Sequence, residues 1–203
     1  MSSGNPPHLT ESGFPGIGRI PFGVHLCHFY VDRQDLVDSL IPYFRSGLQQ
    51  DERSLWVTSA PLSSEDASAE LAKDLPSFAA WVAEGRIRIL DAPDWYGDLR
   101  SDHLQERWFK EEERALAEGF QGLRIAGNAG FLERTDWDAF MRYEHAFNRS
   151  IAGHRIVALC SYSLRQAGAS DLFEITRCHH HTICRTNNDW EVVDKFYGPL
   201  ARS

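Results

Sequence analysis

Hydrophobic and polar positions along the chain follow two periods in turn, which predicts strands alternating with helices. Short apolar or alternating runs predict strands over 24–30, 54–59, 86–91, 122–128, 155–163, 181–186 and 189–194. Apolar residues at helical spacing predict helices from the capping residue Asp32 to about Leu48, over 63–75, 76–85, 102–118 and 135–151, and from about Ser170. We expect Trp95 and Tyr96 to lie in a loop.

This alternation predicts an α/β fold of three layers, in which helices cover both faces of a mostly parallel sheet. The run 155–163 is the most apolar, so we expect it at the centre of the sheet. Asn187 and Asn188 favour a tight turn between the last two strands, which predicts an antiparallel hairpin at the C-terminal edge. The polar, Gly- and Pro-rich residues 1–21 predict a flexible arm before a single domain over 22–203.

Composition and charge exclude several classes of protein. With 42% hydrophobic and 25% charged residues among 203, the chain has the profile of one ordinary domain. A net charge of −8 argues against direct nucleic-acid binding, which needs clustered Lys and Arg. No apolar run approaches the length that spans a membrane, and no secretory signal begins the sequence, so we expect a cytoplasmic protein with its four cysteines reduced.

The carboxyl ends of the predicted strands carry an aromatic, mostly neutral set of side chains. Ligands of open α/β sheets bind at these ends, so the set is a candidate pocket for a small, weakly polar molecule. Its polar members are His28, Tyr30, Ser59, Asn128 and Tyr162, and Trp56 and Trp95 are candidate walls. The open alternative is that these aromatic residues only fill the end of the sheet.

The sequence lacks the motifs with which enzymes bind nucleotides. Residues 30–35 after the first strand contain no glycine and two acids, where a phosphate-binding loop needs glycines and Lys. Residues 125–128 offer no carboxylate for Mg²⁺. No G-x-S-x-G elbow supports Cys27, Cys160 or Ser163 as a nucleophile, and Cys160 is interpreted as a buried core thiol. We therefore expect no ATP hydrolysis and no enzyme activity.

The run CHHHTIC at 178–184 raises the question of a metal. If it is extended, His179 and His181 face one way, while Cys178, His180 and Cys184 face the other. Either set offers ligands for zinc or copper, and His25, Cys27 or His28 would complete a site only if the strands met. The paired C-x-x-C knuckles of structural zinc sites are absent. The first expectation is therefore no metal cofactor, with zinc or copper on His179 and His181 as the alternative.

Four phrases resemble the MEDS family, the methanogen/methylotroph DcmR-type sensory domain. They are GVHLCHFY at 23–30, SLWVTSAPLSSEDA at 54–67, GLRIAGNAGFLE at 122–133 and ALCSYSL at 158–164. The resemblance extends from about Phe22 to Val193. It implies a regulatory domain for small molecules of one-carbon metabolism, built as a degenerate form of the RecA/KaiC ATPase fold. It also implies functional roles for His25, Cys27 and His179.

These observations lead to two hypotheses of different kinds. The first is a non-enzymatic sensor that binds a small molecule and signals through a partner such as a histidine kinase or a transcription regulator. The second is a metal- or redox-responsive regulator that uses His25, Cys27 and His179. No helix-turn-helix or kinase segment accompanies the domain, so a stand-alone protein would signal by docking or as a homodimer. In a piece of a longer protein, the output module would lie elsewhere.

Overall fold

A seven-stranded sheet forms the middle layer of the protein, and a two-stranded hairpin packs beside it. The computed structural model describes residues 8–97, 104–187 and 189–194. The hairpin comprises β1 (Leu9–Glu11) and β2 (Arg19–Pro21). The sheet comprises β3 (Val24–Tyr30), β4 (Arg53–Thr58), β5 (Ile87–Asp91), β6 (Leu123–Asn128), β7 (Ile156–Ser163), β8 (His181–Thr186) and β9 (Asp189–Asp194).

Helices cover both faces of this sheet, as the sequence predicted. The first face carries α1 (Arg33–Gln49), α2 (Ser64–Asp74) and α3 (Phe78–Ala83). The second face carries α4 (Ala92–Tyr96), α5 (Leu104–Ala117), α6 (Trp137–Ser150) and α7 (Ala169–Arg177). Each face has its own apolar core, because side chains of successive strand residues point to opposite sides. The three-layer α/β prediction is confirmed.

The strand order is β5-β4-β6-β7-β3-β8-β9, so the most apolar strand, β7, is central as predicted. Six neighbouring strands, β5, β4, β6, β7, β3 and β8, run parallel to one another. Strand β9 runs antiparallel to β8 at the edge. The predicted C-terminal hairpin is thus confirmed. Asn187 adopts a positive φ of 51° in its turn, as an Asn readily does, and Asn188 lies outside the described residues.

Two local features differ from the sequence prediction. Over its described part, 8–21, the arm is an ordered hairpin: Thr10, Phe14 and Ile20 are buried against the first face. Its few apolar residues gave no periodic signal because the strands are only three residues long. Trp95 and Tyr96 lie in the short helix α4 and not in a loop, and Pro93 in its first turn fits the fixed φ of that position.

The buried side chain of Arg124 on β6 ties this hairpin to the sheet. Its guanidinium donates to Glu52 from Nε at 2.6 Å and from Nη2 at 3.1 Å, and to the carbonyls of Ser12 and Glu11. Thr10 also donates to Glu52. A Cβ added at Gly47 would lie 2.4 Å from Arg124 Nε, so glycine is required there. The ion pair of Arg124 and Glu52 is fully buried, and its other hydrogen-bond partners include residues of the N-terminal hairpin.

No helix in the described part of the chain is long and apolar enough to cross a membrane.

Replacing Arg124 with Met should lower the free energy of unfolding by about 3–5 kcal/mol, because Glu52 would remain as an unpaired buried charge. Urea unfolding followed by circular dichroism measures this loss. The matched control is Arg45→Met, which removes a half-exposed ion pair with Asp74 worth about 0–1 kcal/mol. Equal losses in the two variants would contradict the role assigned to Arg124.

Candidate functional site

The residues predicted from sequence do not form one pocket; the structure distributes them over several places. Tyr30, Trp56 and Trp95 are buried in the two cores, where Trp56 stacks on Phe44 and Trp95 packs on Trp108. Ser59 and Asn128 are bonded to each other: Asn128 Oδ1 accepts from Ser59 N at 2.7 Å and Ser59 Oγ donates to Asn128 O at 3.0 Å. These residues therefore position loops and cores.

In the described part of the chain, three places remain that have the chemistry of a site. They are a buried cluster of His, Glu and Cys side chains on the second face, a cavity at the end of β7, and a cleft at the end of β3. The first contains His25 and His179, the second Tyr162 and the third His28.

The buried cluster consists of His25 on β3, Glu144 on α6, Cys160 on β7 and His179 just after α7. One donor atom from each of the four lies within 4.8 Å of all the others. His25 and His179 are 0% exposed and Glu144 is 1% exposed, whereas Cys160 is partly buried. Four elements that are distant in sequence thus bring four metal-type donors to one point among the described residues.

Hydrogen bonds at the outer nitrogens fix the two imidazoles of the cluster. His179 Nδ1 lies 2.7 Å from the carbonyl oxygen of Ile175 and so carries the proton it donates. His25 Nδ1 lies 3.3 Å from Asn148 Oδ1, an acceptor, and is assigned a proton in the same way. The Nε2 atom of each ring therefore faces the centre of the cluster, 3.1 to 3.3 Å from Glu144 Oε2.

The electrostatics of the cluster follow from its burial. Burial alone raises the pKa of Glu144, but the imidazoles of His179 and His25 outweigh it and hold that pKa well below its usual range. Burial, helped by His179, lowers the pKa of His25 to about 4. Burial and the charge of Glu144 raise the pKa of the Cys160 thiol well above its ordinary value. The cluster therefore holds a carboxylate next to a neutral imidazole of His25 and a thiol.

Sequence reasoning found half of this cluster. His25 and His179 were expected, but Glu144 was missed and Cys160 was interpreted as a core thiol. Glu144 did leave a signal, because it interrupts the apolar face of the amphipathic stretch 135–151 between Met141 and Phe147.

Two other predicted candidates lie outside the four-residue group. Cys27 is buried beside Cys160 in the sheet, and its sulfur lies 3.2 Å from Thr182 Oγ1. His181 begins β8 and is partly buried. The His/Cys set proposed from the sequence therefore differs from the one that the fold assembles.

The cavity at the end of β7, called here the β7 cavity, has a volume of about 220 Å³. Its lining residues are Ala129, Leu132, Glu133, Arg134, Trp137, Tyr162, Ser163, Gln166, Ala167 and Asp171. Arg134 and Asp171 form an ion pair of 2.9 Å, so their charges offset each other. The hydroxyl of Tyr162 is buried and has no hydrogen-bond partner in the described part of the chain. The cavity thus combines apolar walls with one unused polar group.

The cleft at the end of β3, called the β3 cleft, is larger at about 680 Å³ and includes Phe29, Asp35, Arg185 and Trp190. Its buried imidazole is His28. Ser39 Oγ donates to the carbonyl of Asp35 at 2.6 Å, so it can only accept from His28 Nε2, 3.1 Å away. This assigns the proton of His28 to Nε2. Burial lowers the pKa of His28 to about 4, which keeps the ring neutral.

The start of α1 borders the β3 cleft. Backbone amides there that have no partner within the helix bond to side chains instead. Asp32 Oδ1 accepts from the amides of Gln34 and Asp35 at 2.9 and 3.1 Å. Asp35 Oδ2 accepts from the amide of Val31 at 3.0 Å. These are the groups with which a helix N-terminus binds phosphate, and here the chain's own carboxylates occupy them.

The sheet order, the crossover helices and the position of this helix start define an α/β domain of the RecA/KaiC-like class. A KaiC-like protein of the hyperthermophilic archaeon Pyrococcus horikoshii OT3 superimposes with a TM-score of 0.63 at 12% identity, over 95% of this chain and 90% of that one. The flagellar accessory protein FlaH of Methanocaldococcus jannaschii gives a TM-score of 0.56 at 16% identity, over 88% and 81%. At these identities the likeness concerns the fold alone.

Residues 24–180 match the family described as MEDS: MEthanogen/methylotroph, DcmR Sensory domain. Because the match covers more than half of the 203 residues, the chain belongs to the MEDS family of sensory domains. The resemblance drawn from the four sequence phrases is thereby confirmed. No curated relative matches the chain in sequence.

The buried neutral state of His28 predicts a pH dependence of stability. Its folded pKa of about 4 lies below the unfolded value of 6.5, so the unfolded chain binds more protons between these values. The contribution of the neutral His28 ring to the free energy of unfolding is constant above pH 6.5. It is lost as the pH falls from 6.5 towards 4, by up to about 3 kcal/mol. The free energy of unfolding, measured in urea at pH 7.5 and at pH 5, should fall less in His28→Gln than in the parent protein. Equal losses in the two proteins would contradict this assignment.

Proposed function

We propose that this domain senses a small, weakly polar organic molecule in the β7 cavity and passes the signal to a partner protein without hydrolysing ATP. Membership of a sensory family supports a regulatory role. The observation that carries the proposal concerns Tyr162: its side chain lines the cavity, and its hydroxyl is buried without a hydrogen-bond partner among the described residues. A buried polar group of this kind is normally satisfied, and a bound ligand would satisfy it.

The walls of the cavity limit what it can take. Trp137 and Leu132 supply apolar contact, while Ser163 and Gln166 supply neutral polar groups. Arg134 and Asp171 offset each other, and the exposed carboxylate of Glu133 disfavours an anion. A volume of about 220 Å³ is below the range of about 300–1,000 Å³ typical for drug-sized ligands. A neutral molecule of few atoms, such as a one-carbon compound, fits these limits.

The cavity is connected to the buried cluster through shared elements. Strand β7 supplies Tyr162 to the cavity and Cys160 to the cluster, and α6 supplies Trp137 and Glu144. The rings of Tyr162 and His179 make an edge contact with centroids 5.7 Å apart. A ligand that bound one arrangement of these elements more tightly than another would shift their equilibrium, as signalling requires. The altered surface would be recognised by a histidine kinase, a transcription regulator or a second copy of the chain.

Titration with dichloromethane and with methanol, in separate samples, should shift the indole N–H signal of Trp137 in two-dimensional NMR spectra. A ligand of three heavy atoms has a ceiling near 1.5 kcal/mol per atom, which corresponds to a dissociation constant of about 1 mM. The internal control is the indole signal of Trp56, which is fully buried in the opposite core. Shifts at His28 and Trp190 without a shift at Trp137 would place the ligand in the β3 cleft instead.

Replacing Tyr162 with Phe should weaken the responding compound about 3- to 10-fold, the worth of one neutral hydrogen bond, and leave the fold intact because the ring is kept. The matched control is Cys184→Ser, which changes a side chain of the β3 cleft by one atom. Unchanged affinity in Tyr162→Phe would show that the hydroxyl does not contact the ligand.

Mg²⁺-ATP should give no binding heat in isothermal titration calorimetry at millimolar concentration. The reason is that Asp32 and Asp35 occupy the amides at the start of α1 and would repel phosphate. The double variant Asp32→Ser, Asp35→Ser provides a comparison in which the repulsion is removed. Tight binding of ATP to the parent protein would contradict the proposal.

A further inference from the structure

We propose that His25, Glu144, Cys160 and His179 bind one Zn²⁺ or a similar borderline divalent transition ion. This site is separate from the β7 cavity and does not depend on the function proposed for that cavity. The donor set has two imidazole nitrogens, a carboxylate oxygen and a sulfur, which is a mixture that suits zinc. Neither the identity of the four residues nor their number follows from the histidine run at 178–184, since only His179 belongs to it.

The separations between the donor atoms agree with a tetrahedral ion. With metal–donor distances of about 2.0 to 2.3 Å, the edges of such a tetrahedron are roughly 3.3 to 3.7 Å. Glu144 Oε2 lies 3.1 Å from His179 Nε2 and 3.3 Å from His25 Nε2. Cys160 Sγ lies 3.3 Å from His25 Nε2 and 3.8 Å from Glu144 Oε1. The separations of Glu144 Oε2 from the two imidazoles and of Cys160 Sγ from His25 are thus close to tetrahedral edges, and one donor atom from each of the four residues lies within 4.8 Å of the others.

The orientation of the two imidazoles also indicates a cation at that point. Each ring uses Nδ1 towards an outer acceptor, the carbonyl of Ile175 for His179 and Asn148 Oδ1 for His25. Both Nε2 atoms then face the same carboxylate oxygen of Glu144 and are placed to coordinate a metal ion in place of a proton. Donation of the outer N–H to a carbonyl or an amide oxygen is also the usual support of a metal-binding histidine.

A proton shared between an imidazole and Glu144 is the competing explanation for the low pKa of that carboxyl. Glu144 Oε2 and His179 Nε2 are 3.1 Å apart, a separation that suits either a hydrogen bond or two ligands of one ion. Cys160 favours the ion, because a shared proton has no need of a thiol, whereas a tetrahedral ion uses it as the fourth ligand.

Charge balance favours the ion as well. A divalent ion, one carboxylate and one thiolate sum to zero, so the fully buried centre would be neutral. On binding, the thiol of Cys160 gives its proton to solvent and its sulfur bonds to the metal, and any proton on an imidazole Nε2 leaves in the same way.

Four protein ligands leave no open position, so the site would be structural or regulatory and not catalytic. The ion would join β3, β7, α6 and the turn after α7, and so fix α6 against the sheet. His180 is not a competitor inside the site, because its Nδ1 accepts from the amide of His25 at 3.0 Å.

The first experiment measures metal in untagged protein, by mass spectrometry after incubation with Zn²⁺ and gel filtration, with folding checked by circular dichroism. We expect about one zinc per chain, retained in the variant His181→Gln, which keeps the bond between His180 and the amide of His25. Zinc below about 0.1 per chain in folded protein would overturn the proposal. Zinc that is lost in this variant would equally overturn it, since the ion would then be an adventitious ion only, held by the histidine run.

The second experiment titrates untagged protein, from which metal has been removed with a chelator, with Co²⁺ and follows its absorption spectrum. A near-ultraviolet thiolate-to-cobalt band with the visible bands of tetrahedral Co²⁺ is expected from the unaltered chain, which removes any dependence on whether variants fold. Cys160→Ser should abolish the thiolate band and weaken binding by at least about 100-fold, the upper end of what loss of an outer-shell partner costs. Cys184→Ser is the matched control, and a band that persists in Cys160→Ser but disappears in Cys184→Ser would overturn the assignment.

Discussion

The parallel pairing of β3 with β7 at the centre of the sheet is the constraint on which every candidate site depends. Its register places Cys27 opposite Cys160 and Phe29 opposite Tyr162. Because side chains alternate, His25, Cys27 and Phe29 share the second face with Cys160 and Tyr162. The same register brings the carboxyl ends of both strands to one edge, where the β7 cavity and the β3 cleft lie. A shift of one residue would turn these side chains into the opposite core.

Two buried carboxylates show how differently the fold can treat the same group. Glu52 is 0% exposed and is matched by the guanidinium of Arg124, with Thr10 as a further donor. It stabilises the junction between the N-terminal hairpin and the sheet. Glu144 is equally buried but faces two imidazoles whose outer nitrogens are already engaged. Glu144 thus lies among three other potential metal ligands and not against a fixed cation, which favours a role beyond packing.

The fold is that of RecA/KaiC-like proteins, and its two faces carry different chemistry. The amides at the start of α1 bind Asp32 and Asp35, and the cleft beside them carries the neutral imidazole of His28. The second face, in contrast, carries a buried polar cluster and a small cavity that share β7, α6 and α7. A sensory domain needs such a pair of features: a place that takes a ligand and packed elements with which the ligand can interact differently in two states.

The sequence alone determined the fold class, the central position of β7 and the family, because these depend on local periodicity and on contiguous phrases. The apolar and alternating runs at 24–30, 122–128 and 155–163 were sufficient for the strands at the centre of the sheet. From the acids at 32 and 35 the sequence also predicts that no phosphate loop follows β3. It did not determine the candidate site. Glu144 and Cys160 lie 119 and 135 residues after His25, and only the crossover connections bring them together. The residues of the predicted pocket do not form one unit for a related reason. The strand ends do share an edge, but the helices packed against that edge decide whether a side chain there lines a cavity or fills a core. The buried positions of Trp56 and Trp95 show this.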